Sequence, residues 1–491
     1  MRLKELAAGV GTLLFVIPVS LVLPLIVGLL YKENMILIIS AYGLPSLLAL
    51  SLGALLTRWG GKIGSDFRPT EALSTVSFFW ILVAVFGALP YMIMGTIPDF
   101  VSAFFESMSG FTTTGSSVLT EIDGLPNSIL LWRAETQWIG GVGIIVMVVA
   151  LLSTVLGGHK AGFLMMKGEV PGHSHERVVP RLKDSAKVVI TVYLILTAAE
   201  IFLLTLLGLS FYEAVCHTFT TLSTGGFGTH TASIGHYSNY DLAPLIEGVF
   251  IAFMIFGCVN FILHNKFLRG NIKAYLMDFE FRVFIAMWLV FVGVVAVDLW
   301  VNDVYALDAS IRHSFFNVTS IISTTGYATQ DFDAWPDLSR YLLLMMMLMG
   351  GMTGSTSGAI KTARLLIASK ALTRSIRRIG HPRAHIPIKV GDVIFSEDIV
   401  RGVGMFIFAY LAIFVFASFV MTLTGLDPLS AISSVATTMG GVGPGLNMIG
   451  PNLNFSEVTD TGKVILSMLM WIGRLEIITC FVLFFPSTWK S

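Results

Sequence analysis

The chain is 491 residues long, 55% hydrophobic and only 13% charged, with a mean hydropathy of +0.79, which excludes an ordinary soluble enzyme and predicts an integral membrane protein. Its 31 Lys and Arg balance its 31 Asp and Glu, so total charge points to no partner, and nucleic acid is not expected as one. Cys216, Cys258 and Cys480 all lie in apolar runs without metal or disulfide spacing, which argues against redox chemistry.

Apolar runs of about 20 residues predict transmembrane helices, and runs of about 10 to 14 predict re-entrant segments. Two long runs come first, near 8–30 and 36–57, divided by Tyr31-Lys32-Glu33-Asn34. The first has no small-residue cleavage site and is followed at once by the second, so it is expected to be retained as a helix. An order of long, short and long runs then repeats: 71–95, 99–110 and 131–156; 184–208, 211–222 and 244–265; 282–300, 308–321 and 339–370; 402–424, 427–438 and 461–485. The expected units are two N-terminal helices over 1–69 and four modules over 70–157, 158–266, 267–372 and 373–491. Among the short helices, Asp99, Asp308 and Asp427 are the expected N-caps and Pro428 suits a first helical position, while Ser210 is a weaker cap signal in the second.

Each short helix is followed by a glycine segment. Aligned on one glycine, the copies read Thr112-Thr113-Thr114-Gly115-Ser116, Ser223-Thr224-Gly225-Gly226-Phe227, Ser323-Thr324-Thr325-Gly326-Tyr327 and Gly440-Gly441-Val442-Gly443-Pro444, spaced by 111, 100 and 117 residues. Six positions before the glycine stand Ser109, Thr220, Ser320 and Thr437. A repeat of about a hundred residues is a duplicated module rather than a solenoid unit. Glycine permits positive φ and close approach, and neighbouring hydroxyls add oxygen without charge. Four such segments around one axis could make a ring of backbone carbonyls, the device by which potassium channels replace an ion's hydration shell. The short helices would aim their negative dipole ends at that ring. Chance recurrence accounts for one such turn, whereas four in register favour the ring.

Basic residues concentrate on the cytoplasmic side of membrane proteins. Placing both termini inside puts Arg2, Lys4, the loops 58–68, 157–187 and 266–282, the stretch 361–401 and Lys490 on one face, which gathers 25 of the 31 Lys and Arg. Glu121, Asp123, Asp241, Asp331, Asp333, Asp337, Glu457 and Asp460 then fall on the other face, near the glycine segments, where they would either raise the local cation concentration or simply be solvated. His159, His173, His175, His381 and His385 fall in the expected cytoplasmic loops, solvated rather than catalytic.

Two inner helices break the pattern. In the third module Met345-Met346-Met347-Leu348-Met349 runs into Gly350-Gly351-Met352-Thr353-Gly354-Ser355-Thr356-Ser357-Gly358, too rich in Gly, Ser and Thr for a regular helix. Irregular backbone at membrane depth is tolerated where it is buried in protein or lines a water-filled cavity, so a gate below the ring and close packing through small residues are both open readings. In the fourth, Arg474 stands near mid-span, where a charge costs roughly 2.5 to 3.5 kcal/mol unless it meets water or a partner; it is either a functional residue or an ion pair with Glu476. Glu106, Glu200, His217, Asn260 and Asn317 are expected to brace the short helices by hydrogen bonds.

The four modules, with Thr-Thr-Thr-Gly, Ser-Thr-Gly-Gly-Phe, Ser-Thr-Thr-Gly-Tyr and a closing Gly-Val-Gly-Pro-Gly, resemble the Trk/Ktr/HKT superfamily of potassium translocators, and the two extra N-terminal helices are most similar to its bacterial TrkH branch. The resemblance implies an all-α integral membrane protein with ten transmembrane helices and four re-entrant pore helices around one pseudo-fourfold pore. It implies a potassium-binding selectivity filter of Thr113, Thr114, Gly115, Thr224, Gly225, Gly226, Thr324, Thr325, Gly326, Gly441, Val442 and Gly443. It further implies a gating loop of Gly350, Gly351, Thr353, Gly354, Ser355, Thr356, Ser357 and Gly358, and a pore barrier at Arg474. Potassium is the implied substrate, with no cofactor in this chain. Implied partners are a second copy, membrane lipid and a cytoplasmic TrkA-type nucleotide-binding subunit, at the bacterial inner membrane. In the fourth segment TrkH-like chains usually carry asparagines where this one has Gly440-Gly441-Val442. An ion-coupled symporter is the competing reading, although modules that all keep one orientation favour a pore. No metal pattern or Ser/Lys dyad in the spans supports an enzyme.

Overall fold

The computed structural model describes residues 2–61, 69–155, 178–384, 386–475, 477–484 and 489. Most of the basic 157–187 stretch, with His159, His173 and His175, lies outside the described residues, as do the boundary between the first two modules, Lys62, Arg68, His385, Glu476 and Lys490.

An apolar span over Leu3–Leu30 leads into Met35–Gly60, which carries a π-turn at Ile39–Gly43. The first module consists of an outer helix Pro69–Ile93, a short helix Phe100–Phe111 and an inner helix Asn127–Val155. In the second the corresponding helices are Val178–Leu206, Phe211–Leu222 and a bent pair, Ala243–Cys258 and Phe261–Leu268. Phe279–Val301, Leu307–Ile322 and the divided Asp337–Met347 and Thr362–Gly380 form the third. A small antiparallel hairpin, Ile388–Val390 with Val393–Phe395, precedes the fourth: Glu397–Leu423, Pro428–Gly440 and Asp460–Leu475, then Ile477–Phe481. Among the described residues six helices are long and apolar enough to cross a membrane, and the bent pair would make a seventh span.

Burial separates the layers. The short helices are enclosed, with Phe105, Met108, Val318, Ile321, Ala431 and Val435 inaccessible, while Phe408, Val415, Phe416 and Phe419 on the last outer helix remain exposed as a lipid-facing surface would.

Asp99 accepts from the N–H of Ser102, and Asp427 accepts from those of Leu429 and Ser430 ahead of Pro428. Ser210 forms a full capping box with Glu213, stronger than the serine alone announced. Asp308 is not a cap: the third short helix starts at Leu307 after Ala306, which leaves Asp308 in the first turn, favourable to the dipole only.

The second inner helix departs from the continuous 244–265 expectation by bending 109° at Val259-Asn260. The cause is tertiary. Backbone N–H groups of Met352 and Thr356 donate to the carbonyls of Cys258 at 2.8 Å and Gly257 at 3.1 Å, and Asn260 caps the following helix through Ile262 N–H.

Candidate ion-conducting site

All four short helices end the same way. The N–H one position before each aligned glycine, on Thr114, Gly225, Thr325 and Val442, donates at 2.9 Å to the carbonyl five residues back, on Ser109, Thr220, Ser320 and Thr437. This is the longer bond of a Schellman ending, and its backbone acceptors are the residues of the polar column six before the glycine. Such an ending requires a left-handed residue, supplied by Thr113, Thr224, Thr324 and Gly441 with φ of 52°, 56°, 63° and 69°. Gly441 therefore reproduces in the fourth copy the conformation that threonine holds in the other three. Two residues on, Gly115, Gly226, Gly326 and Gly443 are left-handed again, with φ of 84°, 78°, 83° and 105°. Alternating the hand of successive residues lets consecutive carbonyls share one side of the strand, unlike the alternation of an ordinary β-strand.

The glycines close the ring. A Cβ on Gly115 would strike the carbonyl oxygen of Gly225; on Gly226, that of Thr325; on Gly326, that of Val442; and on Gly443 it would lie 3.0 Å from that of Thr114. Each copy thus abuts the next in the order one, two, three, four and back to one. Side chains fasten the joints: Ser116 Oγ donates to Gly443 O at 2.9 Å, and Tyr327 OH donates to His217 O at 3.1 Å while also meeting Thr220. Thr112 with Thr114, and Ser323 with Thr325, pair through hydroxyls 2.8 Å apart.

The 350–358 loop lies against this ring and is tied from several sides. Gly358 N–H donates to Thr324 Oγ1 at 2.9 Å, Thr356 Oγ1 donates to Leu222 O at 2.9 Å and Gly257 O at 2.8 Å, and Glu280 Oε1 accepts from Thr353 N–H at 2.8 Å and Ala363 N–H at 3.1 Å. Lys361 Nζ donates to Ser357 O. From the facing inner helix Arg474, 8% exposed, donates through Nη1 to Thr356 O at 2.6 Å, and its Nε and Nη2 find no partner among the described residues. Glu476, the alternative ion-pair partner, lies outside the described residues.

Bracing of the short helices follows expectation at Glu106, His217 and Asn317 but not at Asn260, which only caps Phe261–Leu268, nor at Glu200. Glu106, His217, Asn260 and Asn317 are all hydrogen-bonded, whereas both carboxylate oxygens of the inaccessible Glu200 lack a partner among the described residues. The acidic loops are partly neutralised: Asp333 and Asp337 pair with Arg340, and Asp460 lies 3.9 Å from Lys463. Asp123 meets His230 at 2.7 Å. Burial alone would raise the Asp123 carboxyl, but hydrogen bonds from His230 and Thr231 outweigh it and hold it down at about 2; bonding to Glu213 and Asp123 in turn raises His230.

The comparisons with known proteins decide the family. The TrkH model, described as a cation transport protein, matches residues 47–491. The chain belongs to the TrkH family. It is 34% identical to the Trk system potassium uptake protein TrkH of Escherichia coli strain K12 and 32% identical to that of Halomonas elongata, each over the whole of both chains. The crystal structure of the potassium transporter TrkH from Vibrio parahaemolyticus superposes with a TM-score of 0.88 at 33% identity, again covering both chains completely. A TrkH-family chain is a cation transporter and not an enzyme, and the all-α membrane architecture agrees with that solved structure.

Three contributors to the TrkH-family site escaped the sequence reading. Gln137 clamps the second segment, donating to Gly225 O at 2.8 Å and accepting from Phe227 N–H at 3.1 Å. Arg133 pairs with Glu106 at 2.9 Å, donates to Gly228 O at 3.0 Å and stacks 4.2 Å from the centre of the Phe227 ring. Glu280 holds both ends of the loop. Arg133 and Gln137 sit four apart on the inner helix, a spacing that puts both on one face and could have flagged them.

Proposed function

We propose that this chain carries potassium into the bacterial cytoplasm, with Thr113–Gly115, Thr224–Gly226, Thr324–Gly326 and Gly441–Gly443 as a selectivity filter of backbone carbonyls. The observation that carries the reading is the closed ring, in which each aligned glycine abuts the preceding-position carbonyl of the next copy. A large, weakly hydrated cation is matched by such carbonyl dipoles in place of its water shell. Below the ring the Gly350–Gly358 segment acts as the gate, and Arg474 as a fixed positive charge limiting residence beneath the filter. Among the described residues no carboxylate pairs with Arg474, so its positive charge stands uncompensated beside the loop.

The four module boundaries follow from the same reading, with both termini on the basic, cytoplasmic side of the inner membrane. Regulation comes in trans from a TrkA-type nucleotide-binding subunit docking at the basic stretch after Thr362–Gly380, and two copies form a homodimer. Arg374 pairs with Glu397 and Lys389 with Asp392, so Arg377, Arg378 and Arg383, all exposed, are the docking candidates. Potassium and sodium fluxes through purified protein in liposomes, with and without a proton gradient, test the function. Potassium flux that follows its own gradient is expected, flux that requires the proton gradient would establish symport instead, and equal sodium and potassium flux would reject the filter.

A further inference from the structure

We propose that Asp123, His230 and His236 form a binding site for a divalent transition-metal ion, zinc in the first instance, on the outer side of the protein. The placement on the outer side rests on the topology above; the site itself does not. The three side chains come from two modules, Asp123 from the loop after the first glycine segment and the histidines from the turn after the second, and one ligand atom of each lies within 4.8 Å of the others. His236 and Asp123 are exposed, so an ion has direct access.

The surroundings are those of a metal site already oriented. His230 Nε2 lies 3.0 Å from Glu213 Oε1, and Glu213 is fixed in turn by its capping box with Ser210. A ligating histidine usually gives its second N–H to a carboxylate in this way, which leaves the other nitrogen to the metal. That nitrogen, Nδ1, faces Asp123 Oδ1 at 2.7 Å, while Asp123 Oδ2 is occupied by Thr231 N–H at 3.0 Å. The His236 ring stacks on His230 with centroids 3.5 Å apart and planes 1° from parallel, and neither of its nitrogens has a protein partner among the described residues. Two imidazolium rings would repel at that distance, so at least one ring is neutral and offers a lone pair.

Metal binding replaces the proton between Nδ1 and Oδ1, which leaves to solvent. Tetrahedral ligands at about 2.1 Å from zinc stand about 3.4 Å apart, so the pair opens by well under an ångström and the exposed His236 turns out of the stack to converge. Two imidazoles and one carboxylate suit zinc and its neighbours rather than magnesium or calcium, whose sites are built from oxygen. The bound ion would tie the first two modules together near the ring, and the same turn already meets the third, where Gly235 N–H donates to Ala328 O at 3.1 Å, two residues past Gly326.

The test is zinc titration of the purified full chain against a competing chelator dye, followed by potassium flux in liposomes with zinc outside. One saturable equivalent per chain is expected. Glu213→Gln keeps a side chain able to complete the capping box and should weaken zinc about 10- to 100-fold through loss of the orienting carboxylate. His236→Ala should abolish binding and any zinc effect on flux without changing basal flux, and His236→Cys should restore binding. No saturable binding, or binding undiminished in His236→Ala, overturns the site and leaves the cluster as a protonated ion pair only. Because the dye reports binding without transport, failure of the potassium reading would leave this result standing.

Discussion

Thr324 Oγ1 accepts a hydrogen bond from the backbone N–H of Gly358 at 2.9 Å, joining the left-handed residue of the third segment to the end of the loop. The third glycine segment and the loop are therefore mechanically continuous at this point, and the threonine gives a reason to tolerate a β-branched residue where glycine would be less strained. Thr324→Val keeps the shape and removes the acceptor, so the part-buried Gly358 N–H loses a bond worth about 0.5 to 1.5 kcal/mol. Potassium flux should rise while selectivity holds. Wild-type flux from a folded Thr324→Val protein would show that this bond does not restrain the loop.

Arg474 makes the second restraint, through Thr356 O at 2.6 Å. Arg474→Ala removes both the contact and the charge, so flux should increase, and Arg474→Lys should stay close to the parent because an ammonium still supplies charge and a donor. The competing ion pair with Glu476 predicts a different result, with alanine lowering the melting temperature and neutralisation of Glu476 restoring it. Flux and thermal stability measured on single and double mutants separate the two.

Much of this was legible in the chain because it is written four times. The glycine column marked the ring, and the Gly/Ser/Thr run announced the broken third inner helix. What escaped depends on contacts made far away in sequence. No local signal breaks the helix at Val259, since the groups that capture the Cys258 and Gly257 carbonyls lie on Met352 and Thr356. Left-handed threonines run against local preference and are enforced by the Schellman bonds and by packing against the next copy. Aspartate serves the first turn nearly as well as the cap, so Asp308 alone does not fix the helix start, whereas Ser210 is a strong cap because Glu213, three residues later, completes the capping-box pattern.

Arg133 and Glu106, 1% and 0% exposed, form a buried pair 2.9 Å apart that reaches both the first and second segments through Ser117 and Gly228. Removing one partner strands a buried charge, so Arg133→Ala or Glu106→Ala should each destabilise by about 3 to 5 kcal/mol. A double-mutant cycle should recover a large part of that loss. Additive losses in melting experiments would mean that the two act separately.

Loss of Glu280 tests whether the loop is held as a unit. Its Oε1 serves the N–H groups of Thr353 and Ala363, which flank the loop's last residues, so Glu280→Ala leaves both to find water. Gln retains an acceptor oxygen and should behave almost as the parent. The alanine variant should conduct more and show faster hydrogen exchange across 350–363, and protection unchanged there would place the restraint elsewhere.

The glycine ring gives the sharpest series, because its four members are equivalent in backbone but not in surroundings. A side chain at any of them adopts positive φ, at roughly 1 to 2 kcal/mol for a non-glycine residue. At Gly115, Gly226 and Gly326 the added Cβ also runs into the neighbouring copy's carbonyl oxygen, which must rotate or retreat and so leave its place in the ring. At Gly443 the same atom sits 3.0 Å from Thr114 O, close enough to require a shift of only a few tenths of an ångström. Serine at Gly115, Gly226 or Gly326 should therefore lower the preference for potassium over sodium severely, and serine at Gly443 least. Alanine should follow the same order, since the clash begins at Cβ and needs no hydroxyl. Competitive fluxes in liposomes measure the ranking, and uniform wild-type selectivity across all four would remove these carbonyls from ion recognition.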